Sequence, residues 1–351
     1  MDIQNGTDLL FKDVKKIIEE SRKRLASMFD AEKTILYWSI GQRVKSDVLD
    51  EQRAEYGKQI VEQLSFKLTQ EYGPGWSPQQ LRHCVHLATV FADESILSTL
   101  WRELSWSHIK TIMYIDEPIK RDFYIEMTKL NRWNVQTLQE KKRQLLFERT
   151  ASIRKPEELI TKELNLLKDE KVLSPNLVFH DPIFLSCLGI TNVKMESELE
   201  DAIVDELQAF IQEMGSDFAF MARQKLMMID NKNYSLDLLF FHRRLHCLVA
   251  IDLKLGEFDA AYKGEMELYL RWLEKYEMAE GENTPIGLIL CSGKSEEHIE
   301  LLKLDDSNIR VAEYLMKLPD MRLLEKKLKQ SIEIAREKIT ANEEKACENI
   351  L

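Results

Sequence analysis

The chain has 351 residues, 44% hydrophobic and 31% charged, enough at ~150 residues per domain for two domains, each with its own core. With 12 Gly and 8 Pro it is neither collagen-like nor low-complexity, and no apolar run nears the roughly 18 residues of a membrane span. The net charge of −11 is uneven, 1–150 carrying 23 Lys and Arg against 22 Asp and Glu and the remainder 26 against 38, which argues against a broadly basic nucleic-acid binder and makes any phosphate contact local or cation-mediated.

Residues 8–150 read almost entirely as helix. The stretch Leu10 to Leu49 carries Phe11, Val14, Ile17 and Ile18 as one apolar stripe, at helical spacing. A second helix is predicted from about Ala54 to Tyr72, with Ile60, Val61, Leu64 and Leu68 on its apolar side. Gly73-Pro74-Gly75 ends it. Ser77-Pro78 restarts the chain as a capped helix, with Leu81, Val85 and Val90 inward, and Ser105 caps another ahead of Ile109, Ile112 and Met113. A last amphipathic helix is expected over 134–149, and 150–195 reads as a connector with helix near 156–168.

From about residue 196 the pattern changes. A helix over 196–214 stops at Gly215, and three β-type runs follow, Phe218–Ile229, Tyr234–Phe241 and Cys247–Leu255. A helix at about 260–278 and an apolar strand, Ile286–Cys291, complete an αβββαβ order, the signature of an α/β domain with a mixed sheet. The charged tail, 319–346, reads as a helix that packs on a neighbour or a second copy. The expected organisation is a helical domain over 1–150, a connector over 151–195, the α/β domain over 196–318 and the tail helix over 319–351. No cationic-then-apolar leader opens the chain, and five scattered cysteines form no CxxC pair, as in a cytoplasmic protein with reduced thiols.

Three charges intrude on strands that should be apolar. Asp237 lies inside Tyr-Ser-Leu-Asp-Leu-Leu-Phe-Phe, and Asp252 and Lys254 lie inside Leu-Val-Ala-Ile-Asp-Leu-Lys-Leu. A carboxylate in such a setting is costly unless paired or bound to metal. Asp252 and Lys254, two apart, share one face of a strand. An even hairpin loop centred between Arg244 and Leu245 sets Asp237 directly opposite Asp252, and opposed Cβ atoms stand about 4.5–5.5 Å apart. Two carboxylates that close invite a divalent cation, and Mg²⁺ favours carboxylates together with waters and phosphate oxygens. Lys254 beside them suits orienting a water or steadying the charge of phosphodiester cleavage. An isolated DxK triplet recurs by chance; the matched Asp237 is what raises this one above that background.

The run from Ser235 to Leu245, then Leu248-Val249-Ala250-Ile251-Asp252-Leu253-Lys254-Leu255-Gly256, resembles the YhcG-type family of bacterial PD-(D/E)XK nucleases. The resemblance continues through Phe258, Tyr262, Gly264, Met266 and Tyr269-Leu270, and reaches back to Phe218-Ala219-Phe220 and Arg223-Gln224. The first half resembles that family's companion domain at Tyr37-Trp38-Ser39-Ile40-Gly41, Arg53-Ala54-Glu55-Tyr56-Gly57 and Leu104-Ser105-Trp106-Ser107-His108. The resemblance implies a restriction-endonuclease-like αβββαβ core behind a mainly α-helical, winged-helix-like N-terminal domain, and metal-dependent phosphodiester hydrolysis with Mg²⁺ or Mn²⁺. It makes Asp237 the first motif carboxylate, Asp252 the (D/E) and Lys254 the lysine. The family usually has Glu where Asp252 stands, and Gln where Glu265 precedes Tyr269 by four, which makes Glu265 a further catalytic candidate that would add a metal ligand or weaken phosphate binding. Its first core helix supplies a further metal-associated acid, for which Glu200 is the candidate and Glu206 the reserve. Arg223 and Gln224 are candidates for the backbone phosphate. DNA is the expected substrate, RNA the alternative, and a nuclease fold that binds or assembles without cutting is the rival reading.

In the first domain, Gln59–Tyr72, a turn and Ser77–Phe91 have the form of a helix-turn-helix, which would set Gln79, Gln80, Arg82 and His83 on the leading turns of a recognition helix, with donors suited to base edges and phosphates. The alternative is an ordinary capped helix after a Gly-Pro turn. His83 and His86 are spaced to share a metal but lack a third ligand, and the tryptophans read as core. Neither GxSxG nor a phosphate-cradling glycine loop is present.

Overall fold

The structure, a computed structural model, describes residues 30–45, 54–93, 99–151, 157–186, 193–304, 307–317, 320–326 and 328–329. The expected stripe of Phe11, Val14, Ile17 and Ile18, and the tail helix beyond 329, lie outside the described residues. The chain divides into two compact units, Met1–Glu140 and Lys141–Leu351.

The described part of the first unit is helical: α1 (30–45), α2 (Ala54–Tyr72), α3 (Pro78–Val90), α4 (Trp106–Ile112) and α5 (Pro118–Asn131), with α6 (Val135–Arg143) crossing into the second unit. No strand, and so no wing, occurs among its described residues. The boundaries follow local chemistry. Gly73 and Gly75 take φ of 83° and 127° after α2, values that cost a residue without Cβ little. Ser77 Oγ then accepts the Gln80 amide at 3.2 Å, satisfying one of the orphan donors that open α3. Val44, Val61 and Leu81 join α1, α2 and α3 in one buried cluster, with Ile40, Leu64, Leu68 and Trp76 packed on it.

The second unit is built on a six-stranded sheet. Its elements are α7 (Leu146–Ala151), α8 (Glu157–Asp169), α9 (Pro175–Val178), β1 (Ile183–Phe184), α10 (Glu196–Asp205), α11 (Leu207–Met214), β2 (Phe218–Ile229), β3 (Lys232–His242), β4 (Cys247–Leu253), α12 (Ala261–Tyr276), β5 (Asn283–Cys291), α13 (Glu296–Leu301) and β6 (Ile309–Leu315). The sheet order is β1-β6-β5-β4-β3-β2. β2, β3 and β4 run antiparallel, and β4, β5, β6 and β1 run parallel. Asp230 and Asn231, both at left-handed φ, make the two-residue β2–β3 turn, the conformation that matches strand twist. β4 is buried along its whole length. Its Val249, Ile251 and Leu253 face a cluster with Leu199, Ile203, Phe210 and Met214 of α10 and α11. Its Leu248 and Ala250 face Met266, Tyr269, Leu270 and Leu273 of α12.

The expected αβββαβ order is present, with additions. The helix over 196–214 is two helices, joined at Glu206 with φ −107° and ψ 36°. The helix over 134–149 breaks at Leu145, φ 54°. Residues 151–195, expected as a connector with helix near 156–168, supply that helix as α8 and add α9 and edge strand β1, while strand β6 extends the sheet beyond the expected order. Two residues give β1 no periodicity to read. What holds this segment is a buried polar cluster. The Arg149 guanidinium is buried against the Phe184 ring at 3.8 Å, pairs with Glu213 of α11, and donates from Nε to Pro182 O at 2.7 Å. Glu213 Oε1 also accepts the Phe184 amide at 2.8 Å.

Candidate active site

The register of the β3–β4 hairpin is the one that the even loop implies. Leu238 pairs with Ile251, and the rungs continue to His242 opposite Cys247 around loop 243–246. The next rung in the other direction would join Asp237 to Asp252, and there the ladder stops. The Leu253 amide donates to Asp237 Oδ2 at 2.7 Å, so a side chain takes the bond that a continuing strand would have offered. Asp252 follows Leu248 and Ala250 on the face under α12, and Lys254 follows it just past the end of β4, its amide bonded to Leu290 O at 2.8 Å.

Asp252 is 3% exposed. Lys254 Nζ forms an ion pair with Asp252 Oδ2 at 2.9 Å, and that buried oxygen accepts no hydrogen bond. Burial first, then the charges of Asp237 and Glu265, push the Asp252 carboxyl up to about 7 against the pull of Lys254. Asp237 is also raised, by burial and by Glu200, against the Leu253 amide, Lys254 and Gln224. Burial by itself would lower the Lys254 ammonium, but Asp252 and Glu265 outweigh it and raise it. Lys254 Nζ is 3.5 Å from Glu265 Oε2 and 5.0 Å from the centre of the Tyr262 ring. Glu265 Oε1 accepts the Tyr269 hydroxyl at 2.6 Å, one helical turn on.

Glu200, on α10, is buried and belongs to the same constellation. Its Oε1 accepts from Arg223 Nε at 2.5 Å and its Oε2 from Gln224 Nε2 at 2.6 Å. Gln224 Nε2 is also 3.1 Å from Asp237 Oδ1. Arg223 Nη2 bonds Asp201 Oδ1 at 2.6 Å. Glu206 is exposed at the α10–α11 junction. Sequence reasoning missed Asp201, Ser235 and Tyr262 as parts of this group; a polar residue two positions before Asp237 was the one signal for Ser235.

The donor set fits a hard divalent cation. Asp252 Oδ2 is an orphaned buried oxygen, and each Asp237 oxygen accepts one bond where a carboxylate oxygen has two lone pairs. Among the described residues no three His, Cys, Asp or Glu side chains form a ready-made cage.

The helix-turn-helix candidates separate. Gln79 and Arg82 are exposed on α3. Gln80 Nε2 points to Cys84 Sγ at 3.8 Å. His83 is buried, with Nδ1 2.5 Å from Tyr114 OH, and burial lowers its pKa. His86 Nε2 meets Met113 O at 2.9 Å.

Residues 176–332 match the family described as the YhcG PDDEXK nuclease domain, and residues 13–149 match the DUF1016 N-terminal domain. The curated protein named "Putative nuclease YhcG" from Escherichia coli (strain K12) is 29% identical over 340 residues, 88% of this chain and 90% of that one. Among solved structures, a repair endonuclease from Pyrococcus abyssi aligns at 18% identity over 37% of this chain and 50% of its own, with a TM-score of 0.26. The structure of an EndoMS–dsDNA2 complex aligns at 13% identity over 37% and 49%, with a TM-score of 0.27. The alignments thus span about half the length of those two chains. This chain belongs to the YhcG-type PD-(D/E)XK nuclease family, a DUF1016 N-terminal domain joined to a YhcG PDDEXK nuclease domain.

Proposed function

We propose that the protein hydrolyses DNA phosphodiester bonds with Mg²⁺ or Mn²⁺ held by Asp237 and Asp252. The observation that carries this reading is the buried, unbonded Asp252 Oδ2 beside Asp237 where the β3–β4 ladder ends. When bound, such an ion lowers the pKa of a coordinated water and polarises the phosphate.

The chain's own residues supply the rest. Lys254 is the cation placed to steady charge developing on the phosphate oxygens, worth most in a site of low dielectric. Glu265, anchored by the Tyr269 hydroxyl, and the Tyr262 ring hold Lys254 beside Asp252. Glu200 keeps Arg223 and Gln224 at the edge of the site. Gln79 and Arg82, exposed on the first turns of α3, carry donors suited to DNA. The excess acidity of the second half should make capture depend on cation concentration.

The test is cleavage of plasmid DNA and of RNA with Mg²⁺ or Mn²⁺. Metal-dependent DNA cutting that Asp237→Ala and Lys254→Ala each reduce by at least about 100-fold is the expected result. Cutting that survives both changes overturns the assignment, and cutting of RNA alone overturns the substrate. A non-cutting binding module is the second reading, favoured by Asp252 and Glu265 standing where the family has Glu and Gln; DNA binding without cutting, indifferent to both substitutions, would establish it.

A further inference from the structure

Gln224 stands at an irregular point of β2. Arg223 pairs with Leu238 and Lys225 with Leu236, which places Gln224 in register with Asp237. Its φ is 47°, a left-handed value that costs a residue with a Cβ energy and persists where surrounding bonds enforce it. Consecutive residues of a regular strand point to opposite faces. Here Arg223 and Gln224 reach the two oxygens of one carboxylate, Glu200, and the left-handed residue is what breaks the alternation.

The carboxamide has every polar atom engaged. Nε2 donates to Glu200 Oε2 at 2.6 Å and to Asp237 Oδ1 at 3.1 Å, while Oε1 accepts from Ser235 Oγ at 2.6 Å. Glu200 and Asp237 meet on one amide nitrogen, and a neutral double donor between two acids binds both without adding a charge. A lysine there would offer a competing cation, and a carboxylate would add repulsion.

We propose that Gln224 is a positioning residue for the metal-binding carboxylate Asp237, held by Ser235 and Glu200, and not a contact to the DNA phosphate. This rests on the reading of Asp237 and Asp252 as metal ligands. Outer partners of ligating groups contribute heavily to affinity, their loss weakening metal binding by about 10–100-fold.

The experiment is calorimetric titration of the full chain with Mn²⁺ in the absence of DNA, beside DNA-binding measurements in Ca²⁺ across a salt series. Gln224→Met should weaken Mn²⁺ binding by at least about 10-fold while the slope of DNA affinity against salt stays at the wild-type value. Gln224→Gly, which relieves the left-handed φ, should show the same Mn²⁺ loss with a melting temperature at or above that of Gln224→Met. Ser235→Ala, which leaves every acid in place, should weaken Mn²⁺ in the same direction by a smaller factor. Wild-type Mn²⁺ affinity in Gln224→Met, or a shallower salt slope, overturns the positioning role and leaves the metal site standing. Failure of the wild type to bind Mn²⁺ sinks both readings.

Discussion

Lys254 and Asp252 form an ion pair of 2.9 Å in which the buried Asp252 Oδ2 accepts no hydrogen bond. The Asp252 carboxyl sits at about 7, whereas an unfolded Asp titrates near ~3.9. Between about pH 4 and about 7 the folded chain therefore holds a proton that the unfolded chain has released. Stability falls as pH rises through that window and levels above it, because the folded state binds more protons than the unfolded one. In EDTA, the melting temperature of wild type relative to Asp252→Asn should decline from pH 4.5 to 7 and then level. A pH-independent difference between the two counts against this placement of Asp252.

The same proton governs metal. A carboxylate ligand must be ionised to bind, so metal entry displaces the Asp252 proton below about 7. Apparent Mn²⁺ affinity of the proposed site should rise by up to about 10-fold per pH unit toward 7 and flatten beyond it. Titration at pH 6, 7 and 8 checks this, and a flat profile would mean that Asp252 is not a ligand.

Gly41 is where α1 touches α3. A Cβ there would lie 1.9 Å from Cys84 O and 2.5 Å from Cys84 C, backbone atoms that cannot turn aside. Trp38 Nε1 also donates to Phe91 O at 2.7 Å, so α1 holds α3 at its middle and at its end. Gly41→Ala should destabilise the first unit by at least ~1–3 kcal/mol, the cost of overpacking. Gly287→Ala is a useful contrast. Its Cβ would meet Met266 Cγ and Sδ at 2.5 Å, and a thioether chain has rotamers to move into. Urea unfolding of both variants should rank Gly41→Ala as the more damaging.

The parts of the site that local rules govern were legible. The alternation of strand side chains put Asp252 and Lys254 on one face, and an even hairpin loop put Asp237 in register with Asp252; both are period-2 arguments that the observed rungs follow. Capping chemistry at Ser77 did the same for α3. Glu200 was identified through family resemblance alone, because an acid on an amphipathic helix carries no mark of the strand it will face. The joint grip of Arg223 and Gln224 on it was illegible, since a left-handed φ at 224 overrides alternation and Gln has no intrinsic preference for that conformation. The inward turn of His83 was missed because its partner Tyr114 is 31 residues away, beyond the reach of helical spacing.

The least legible feature, Arg149 with Glu213, joins residues 64 apart and gives the last prediction. Burial by itself would raise the Glu213 carboxyl, but the hydrogen bond from His180, the charge of Arg149 and the Phe184 amide hold it well below the carboxylate range. His180, fully buried, is driven the other way by desolvation and by Arg149, so it stays neutral and donates from Nε2 to Glu213 Oε1 at 3.3 Å. One acid thus closes a cluster reaching α7, the β1 segment and α11. Removing the guanidinium leaves that acid charged in a buried site, and breaking such a pair costs about 3–5 kcal/mol. Arg149→Met should lower the second unit's stability by that amount in urea. Arg149→Met with Glu213→Gln should cost no more than Arg149→Met alone, because the uncompensated charge is gone. Strict additivity of the two substitutions would show that the guanidinium and the carboxylate stabilise the β1 segment independently, through Pro182 and Phe184, and not through each other.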